Sequence, residues 1–414
     1  MKHITATSNP PSAPSSLKIL TTLSPLTSHL SPLFSVLYLH IPFCKQACHY
    51  CNFHFSTSLK QKDAMVDALL KEIELRSEYL VDKRLESVYF GGGTPSLLGL
   101  NDLGRIFETI HKLFQVAPDA EITLEANPDD LSREALRGLR ANTPVNRLSI
   151  GIQSFSDTDL VWMNRAHRSN HARDCIDYAL ETGFQDLTID LIYGAPTTSD
   201  EQWQENLAIA FEYGIPHLSC YCLTVEEGTA LGTFVRRGQQ PPVEEEKAAR
   251  QFEYLLQATE TAGYDHYEIS NFALPGHYAR HNSNYWRGAH YLGVGPSAHS
   301  FDGVSRQWNV SNNALYIKAL QDSKVPFERE VLTPEQRFNE YLMTALRTIW
   351  GVEPLKIGQI DPSFVAYFEQ SVQPYLASGT VEKTADTYRL TRAGKLLADR
   401  IAMELFLEQN TSGE

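Results

Sequence analysis

The sequence has 414 residues, of which 42% are hydrophobic and 21% are charged, and its formal net charge is -14. A chain of this length and composition can bury a sizeable core, which excludes an intrinsically disordered protein and predicts one large domain with a smaller one. The acidic balance argues against whole-molecule binding to nucleic acid or anionic membranes, because both depend on Lys and Arg to neutralise phosphate groups. No run of about 18 apolar residues occurs, so we expect no transmembrane segment.

The cysteines are few and unevenly distributed. The chain has six of them, and three lie within the eight residues from Cys44 to Cys51. This distribution is unlike a disulfide framework and is typical of metal-binding or catalytic thiols in a reducing compartment. It favours a cytoplasmic protein.

The N-terminal segment differs in composition from the rest of the chain. Residues 1–35 are rich in Ser, Thr and Pro and contain no acidic residue. This composition predicts a disordered tail. A transit or secretory peptide is the competing interpretation, but the segment lacks the Arg content of the first and the continuous apolar core of the second.

From Val36 onward, short runs rich in β-branched and aromatic residues alternate with segments of helical period. This alternation predicts parallel strands joined by crossover helices. The predicted strands are 36–41, 87–90, 121–124, 147–152, 187–193 and 218–223.

Polar residues or glycines stand where four of these runs end, namely at 91–94, Glu125, Gln153 and Asp190. In a β/α barrel the carboxyl ends of the strands converge on one rim, where the ligand binds. Six strands are fewer than the eight of a closed barrel. We therefore predict an α/β fold of the open, partial β/α barrel type with about six parallel strands.

Helix signals occur between the runs and again towards the C-terminus. Asn101 is placed to cap a helix with a regular apolar face. Thr333, Pro334 and Gln336 have the types expected for the cap, the first-turn proline and the capping-box partner of another helix.

The pattern becomes helix-rich after about Asn312, with a hairpin predicted within residues 379–390. We therefore predict a barrel domain with its extension at residues 36–311 and a winged-helix-like C-terminal domain at residues 312–414. Residues 384–400 mix both signs of charge, which favours packing or partner contact over DNA binding.

The cysteines Cys44, Cys48 and Cys51 follow the first predicted strand at the spacing C-x-x-x-C-x-x-C. A structural zinc site needs four ligands, and His49 or His54 could supply the fourth, so zinc stays an open interpretation. Three cysteines suit a 4Fe-4S cluster, because they leave one iron with an open position for a small molecule.

This spacing resembles that of the radical S-adenosylmethionine (SAM) enzymes, in which SAM binds the open iron of a 4Fe-4S cluster and is cleaved to a 5'-deoxyadenosyl radical. Four further motifs agree in order with the anaerobic coproporphyrinogen III oxidase branch of this family, namely GGGTP, LEANP, GIQSF and DLIYGAP. The resemblance extends from about Val36 to Phe406.

The resemblance implies a set of SAM-binding residues, in which carboxylates accept hydrogen bonds from the ribose and the amine while an arginine pairs with the SAM carboxylate. These residues are Tyr38, Gly92, Gly93, Thr94, Glu125, Gln153, Arg165 and Asp190.

One position departs from the oxidases of this branch. Those enzymes are similar to this chain but have a further cysteine two positions after the third, where this chain has Phe53. The missing cysteine argues against coproporphyrinogen oxidation and leaves open whether the protein is an enzyme. With Phe53 at this position, the chain resembles the heme chaperone relatives of the oxidase more than the oxidase itself.

The stretch RHNSNYW, residues 280–286, is similar to a motif of those heme chaperones, and it implies heme binding by His281. A neutral imidazole is a good axial ligand for heme iron. The competing interpretation is that His281 makes a hydrogen bond while Tyr285 and Trp286 pack in a core. Other histidines of this region are alternative ligands, namely His266, His277, His290 and His299.

Three hypotheses follow. The first is a cytoplasmic heme chaperone with a 4Fe-4S cluster, SAM and heme. Its implied partners are an electron donor to the cluster and acceptor hemoproteins, among which membrane-associated respiratory proteins are a candidate class. We expect no nucleic acid partner. The second is an oxygen-independent coproporphyrinogen III oxidase. The third is a zinc-stabilised protein without redox function.

Overall fold

The computed structural model describes residues 35–408, which belong to one compact unit. The tail predicted at residues 1–35 therefore lies outside the described residues except for Ser35, which begins the first strand. None of the described helices is long and apolar enough to cross a membrane.

A twelve-stranded sheet forms the centre of the molecule. Its strands are β1 (Ser35–Ile41), β2 (Arg84–Gly92), β3 (Gln115–Ala126), β4 (Arg147–Gln153), β5 (Asp186–Tyr193), β6 (His217–Cys222), β7 (Asp265–Glu268), β8 (Asn271–Ala273), β9 (His290–Val294), β10 (His299–Phe301), β11 (Ser305–Asn309) and β12 (Phe327–Val331).

The strand order is β12-β11-β10-β9-β1-β2-β3-β4-β5-β6-β8-β7. The pairings from β9 through β1 to β6 are parallel, and those beyond β9 and β6 are antiparallel. Since the described order ends at β12 on one side and β7 on the other, the sheet is a barrel left open. The six predicted strands and the partial β/α barrel are confirmed.

The helices that precede the C-terminal region are α1 (Lys62–Leu75), α2 (Leu100–Leu113), α3 (Arg133–Asn142), α4 (Asp157–Trp162), α5 (Ser169–Glu181), α6 (Asp200–Glu212), α7 (Ala230–Arg236), α8 (Glu245–Thr261), α9 (Arg280–Trp286) and α10 (Asn313–Gln321). Every residue of β4 is buried, as expected for a parallel strand covered on both faces. The main hydrophobic core lies between these helices and the strands.

The predicted cap of α2 is wrong. The helix begins at Leu100 with Gly99 as the N-cap, so Asn101 lies inside the first turn. The Asp102 carboxylate accepts a hydrogen bond from the Gly99 N–H at 3.4 Å. A carboxylate in the first turn also interacts favourably with the positive end of the helix dipole, which favours this start over one at Asn101.

The C-terminal region contains α11 (Pro334–Ala345), α12 (Pro354–Ile360), α13 (Ser363–Ser371), α14 (Gln373–Ala377), β13 (Val381–Thr384), β14 (Thr387–Leu390), α15 (Arg392–Lys395) and α16 (Ala398–Glu404). The capping box of Thr333 and Gln336 is present, and β13 and β14 form the predicted hairpin. These elements enclose a second hydrophobic core. The boundary at residue 312 stays a prediction.

The buried carboxylate of Glu72 in α1 ties the β9–β11 extension to the barrel. It accepts hydrogen bonds from the Gly295 N–H and the Asn309 side-chain amide, both at 2.8 Å. The hydroxyl of Tyr316 also donates to it, and Arg76 lies 3.3 Å away. These contacts hold β9 beside β1, the strand that leads into the cysteine loop.

Candidate functional site

A cavity of about 410 Å³ lies at the carboxyl ends of the parallel strands. This volume is within the range of about 300–1,000 Å³ that is usual for small-molecule sites. Ten of the residues singled out from the sequence line it, namely Cys44, Cys48, Cys51, Gly92, Gly93, Thr94, Glu125, Gln153, Arg165 and Asp190.

The three cysteines of the loop after β1 are free thiols of intermediate exposure. Burial raises the pKa of Cys44 to about 11, which a hydrogen bond with Thr94 opposes. Within residues 35–408, no three His, Cys, Asp or Glu side chains lie close enough together to hold a single metal ion. The rings of His49 and His54 hydrogen-bond Trp162 O and Asn313 Oδ1 instead.

The glycine-rich turn after β2 packs directly against the cysteine loop. Gly92 has a φ of 104°, and a Cβ built on it would lie 2.5 Å from the ring of His40. A Cβ on Gly93 would lie 2.6 Å from the Phe43 carbonyl oxygen. Glycines in such a turn let a neighbouring segment or a ligand approach the backbone closely. The structure shows that they are required first by the approach of β1 and its loop.

Two carboxylates without a cationic partner line the cavity. Glu125 accepts hydrogen bonds from the Tyr89 hydroxyl at 2.8 Å and the Gly92 N–H at 3.1 Å. Burial raises the pKa of Glu125 to about 7 and that of Asp190 to about 7. Among the ion pairs of the described residues, none includes either group. A positively charged ligand would stabilise the ionised form of both.

Arg165 connects the polar strand ends to the cysteines. Its guanidinium donates to Cys48 Sγ at 3.3 Å, to Asn127 Oδ1 at 2.6 Å and to the Gly151 carbonyl at 2.7 Å. Its Nε is buried and has no partner within the described part of the chain. A buried donor without a partner is unusual, and an anionic ligand group could satisfy it.

Gln153 ends β4 in an unusual backbone conformation. Its φ is 65°, and the pairing of β4 with β5 shifts register just before it. A non-glycine residue in the left-handed region costs on the order of 1–3 kcal/mol when strained, and such residues often occur at functional sites. The side chain lines the cavity, as the sequence predicted.

Tyr38 does not line the cavity, although the sequence groups it with the SAM-binding residues. Its hydroxyl hydrogen-bonds His40 Nδ1 at 3.1 Å, and its ring stacks on Tyr89 with centroids 6.1 Å apart. Its ring also lies against Gly91. Tyr38 therefore lies in the barrel interior, and a contact between its side chain and SAM stays a prediction.

His281 is 2% exposed and lies within the barrel, away from the cavity. Its Nδ1 hydrogen-bonds Ser87 Oγ at 2.8 Å, and its ring stacks on Tyr89 at 4.8 Å. Burial lowers the pKa of His281 to about 3, so the imidazole is neutral. Its Nε2 is buried without a partner within residues 35–408. Tyr285 packs on Tyr291 at 4.3 Å, which agrees with the competing interpretation from the sequence.

The alternative histidines differ in their surroundings. His266 hydrogen-bonds Ile269 O at 3.0 Å and Lys395 Nζ at 2.8 Å. His277 pairs with Asp186 at 3.2 Å, and His290 packs edge-on against a phenylalanine. His299 is exposed beside a tryptophan ring.

Sequence reasoning missed Asn127 and Tyr89, which both contact the predicted residues. Asn127 lines the cavity and bonds both Thr94 and Arg165. The sequence did contain an indication of Asn127, because this residue lies two positions after Glu125, just past the end of β3. The sequence contained no indication of a role for Tyr89, because an aromatic residue inside a strand usually packs in the hydrophobic core.

The fold and the cavity define a radical SAM domain protein. Residues 38–222 match the family model of the Radical SAM superfamily, and residues 332–397 match that of the HemN C-terminal domain. Both matches agree with the division into barrel and helical C-terminal region.

Curated relatives narrow this class. Heme chaperone HemW of Mycobacterium tuberculosis is 34% identical over 373 residues, which are 89% of this chain and 94% of that protein. HemW of Escherichia coli is 32% identical over 389 residues, which are 90% of this chain and 98% of that protein. The chain belongs to the HemW family.

A solved structure supports the fold. Coproporphyrinogen III oxidase (HemN) of Escherichia coli, described as a radical SAM enzyme, has a TM-score of 0.78 and 25% identity to this chain. The match covers 90% of each chain. It extends over both the open barrel and the helical C-terminal region.

Proposed function

We propose that the protein is a cytoplasmic heme chaperone that holds a 4Fe-4S cluster, SAM and heme and passes heme to acceptor hemoproteins. Membership of the HemW family supports the proposal. The observation that carries the cofactor part is the cavity in which three free thiols meet Arg165 and two carboxylates without a cationic partner.

The residues around the cavity fit a cluster better than a single zinc ion. Zinc–sulfur bonds are about 2.3 Å long, so the ligands of one zinc ion lie close together. The described cysteines do not form such a group. A cluster of four irons is larger and accepts thiolates that lie farther apart. We therefore assign Cys44, Cys48 and Cys51 as its ligands.

The remaining cavity residues have groups that suit SAM. The Nε of Arg165 is free to donate to a carboxylate, and Glu125 and Asp190 can accept from ribose hydroxyls or an ammonium group. Thr94, Gln153 and the backbone of the glycine-rich turn complete the wall. A 4Fe-4S cluster held there would, when reduced, supply the one electron that cleaves SAM to methionine and a 5'-deoxyadenosyl radical.

Phe53 supports a chaperone over an oxidase. It is 66% exposed and lines the cavity at the position where the oxidases of the branch have a cysteine. An exposed aromatic ring offers a flat apolar surface to a ligand but no thiol chemistry. The partners that follow are acceptor hemoproteins, with membrane-associated respiratory ones as a candidate class, and an electron donor to the cluster.

The experiment that tests this function uses one cluster-loaded preparation under anaerobic conditions. Heme is added, and its transfer to apomyoglobin is followed by the absorption spectrum. In parallel, coproporphyrinogen III is supplied with SAM and a reductant. We expect heme transfer and no decarboxylated product. Formation of that product would instead establish the oxidase.

We propose that His281 ligates heme through Nε2 after α9 moves. In the structure, the carboxylate of Glu121 accepts hydrogen bonds from the backbone N–H groups of Arg280 and His281 at 2.8 and 2.9 Å. Together with the Ser87 contact, these bonds hold α9 inside the barrel. The neutral ring already has the protonation state that iron requires.

Replacing His281 by alanine is therefore expected to change the Soret band of heme-loaded protein and to weaken heme binding. His171, an exposed histidine of α5, provides a matched control, since His171→Ala should leave the spectrum unchanged. A titration of both variants with heme measures the effect. If the two spectra match that of the unsubstituted protein, another histidine such as His299 is the ligand.

A further inference from the structure

The side chain of Asn127 lies between two residues that contact the cysteines. Its Nδ2 donates to Thr94 Oγ1 at 3.0 Å, and its Oδ1 accepts from Arg165 at 2.6 Å. Thr94 is 2% exposed and Arg165 is 8% exposed, so both partners are buried, while Asn127 itself is half-buried in the wall of the cavity. Arg165 in turn donates to Cys48 Sγ at 3.3 Å. The backbone N–H of Thr94 donates to the Phe43 carbonyl at 2.7 Å, which places Thr94 beside Cys44, and its side chain lowers the pKa that burial raises in that thiol.

The chemistry of the donors fixes the direction of every bond in this chain. A guanidinium group has no acceptor, so the amide oxygen of Asn127 must face Arg165 and the amide nitrogen must face Thr94. The Thr94 oxygen therefore accepts from Asn127, which leaves its own proton free to point at the neighbouring Cys44 thiol. On the other side, Arg165 is held with an N–H group directed at Cys48.

We infer that Asn127 is a positioning residue that directs hydrogen bonds onto the sulfurs of Cys44 and Cys48 and so raises the reduction potential of the cluster they hold. The inference rests on the proposed cluster. Hydrogen bonds to the sulfurs stabilise the extra negative charge of the reduced state, which makes reduction easier. Within residues 35–408, neither Thr94 nor Arg165 makes a hydrogen bond with the third cysteine, Cys51.

The substitution Asn127→Asp tests whether the Asn127 amide directs the Thr94 hydroxyl proton towards Cys44. The carboxylate has the same shape and still accepts from Arg165, but it cannot donate to Thr94. The Thr94 hydroxyl is then expected to turn its proton to the new carboxylate and away from Cys44. We expect a lower midpoint potential in an anaerobic redox titration followed by electron paramagnetic resonance, with an unchanged iron content.

Two further variants separate this effect from the added charge. Asn127→Ala carries no charge and should lower the potential in the same direction. Asn52→Asp adds a carboxylate next to Cys51 at an exposed position that makes no side-chain hydrogen bond within residues 35–408. Because that charge is solvated, its effect on the potential should be clearly smaller.

A double-mutant cycle with Thr94→Val gives the decisive result. Thr94→Val removes the hydroxyl, so it should lower the potential, and combining it with Asn127→Asp should add little. Fully additive shifts, or equal shifts for Asn127→Asp and Asn52→Asp, would overturn the role of Asn127 while leaving the proposed function intact. Absence of any cluster in the unsubstituted protein would overturn both.

Discussion

Cys48→Ala is expected to abolish assembly of the cluster, because the two remaining thiolates would leave two of the four irons without a protein ligand. The same loss is expected for Cys44→Ala and Cys51→Ala. Iron and sulfide content after anaerobic reconstitution, together with the visible absorption of the protein, measures the effect. We expect iron near background in each of the three variants.

Cys222→Ala is the matched control for these variants. Cys222 is a free, exposed thiol that lines the same cavity but lies outside the C-x-x-x-C-x-x-C motif. Its removal should leave the iron content unchanged. Retention of iron by Cys48→Ala together with loss by Cys222→Ala would show that the ligand set is wrong.

SAM binding is expected to tighten as the pH rises through about 7, since this is the pKa of both Glu125 and Asp190. Burial raises both pKa values, so in the SAM-free protein a large fraction of each carboxyl is protonated below pH 7. The ammonium and sulfonium groups of SAM favour the ionised carboxylates. Binding therefore releases protons, and affinity increases with pH until both groups are ionised.

Glu125→Gln should weaken SAM binding by about 10- to 100-fold above neutral pH, which corresponds to losing one hydrogen bond to a charged group of about 1.5–3 kcal/mol. It should also reduce the pH dependence. Glu226→Gln is the control, because Glu226 lines the cavity but is exposed. Equilibrium binding of SAM to cluster-loaded protein at several pH values measures both. Affinity that is independent of pH in the unsubstituted protein would refute this assignment of the carboxylates.

The sequence predicted the six strands β1–β6 because each contains a run rich in β-branched or aromatic residues and is separated from the next by a segment of helical period. It did not predict β7–β12, which have only three to five residues each and are not separated by long helical segments of the same regular pattern. One of these, β9, pairs in parallel with β1 and supports the strand that leads to the cysteines. That position depends on contacts distant in sequence, such as those of Glu72 with Gly295 and Asn309.

The candidate site was predictable where it depends on strand ends. Glu125 and Gln153 meet at one cavity because parallel strands bring their carboxyl ends together. Asp190 also lines this cavity, but it lies within β5, three residues before the strand ends at Tyr193. The burial of His281 was not predictable, because a seven-residue helix gives no sign of which space it fills. The contacts of the amide nitrogen and amide oxygen of Asn127 were also not predictable, because they depend on Thr94 and Arg165, which are distant in sequence.

Mössbauer spectroscopy of protein reconstituted with isotopically enriched iron, recorded with and without SAM, tests whether the protein holds a 4Fe-4S cluster with one iron open to SAM. We predict a 4Fe-4S cluster in which one iron differs from the other three and changes its signal when SAM is added. A protein that takes up no iron, or a cluster whose four irons are all unaffected by SAM, would contradict it.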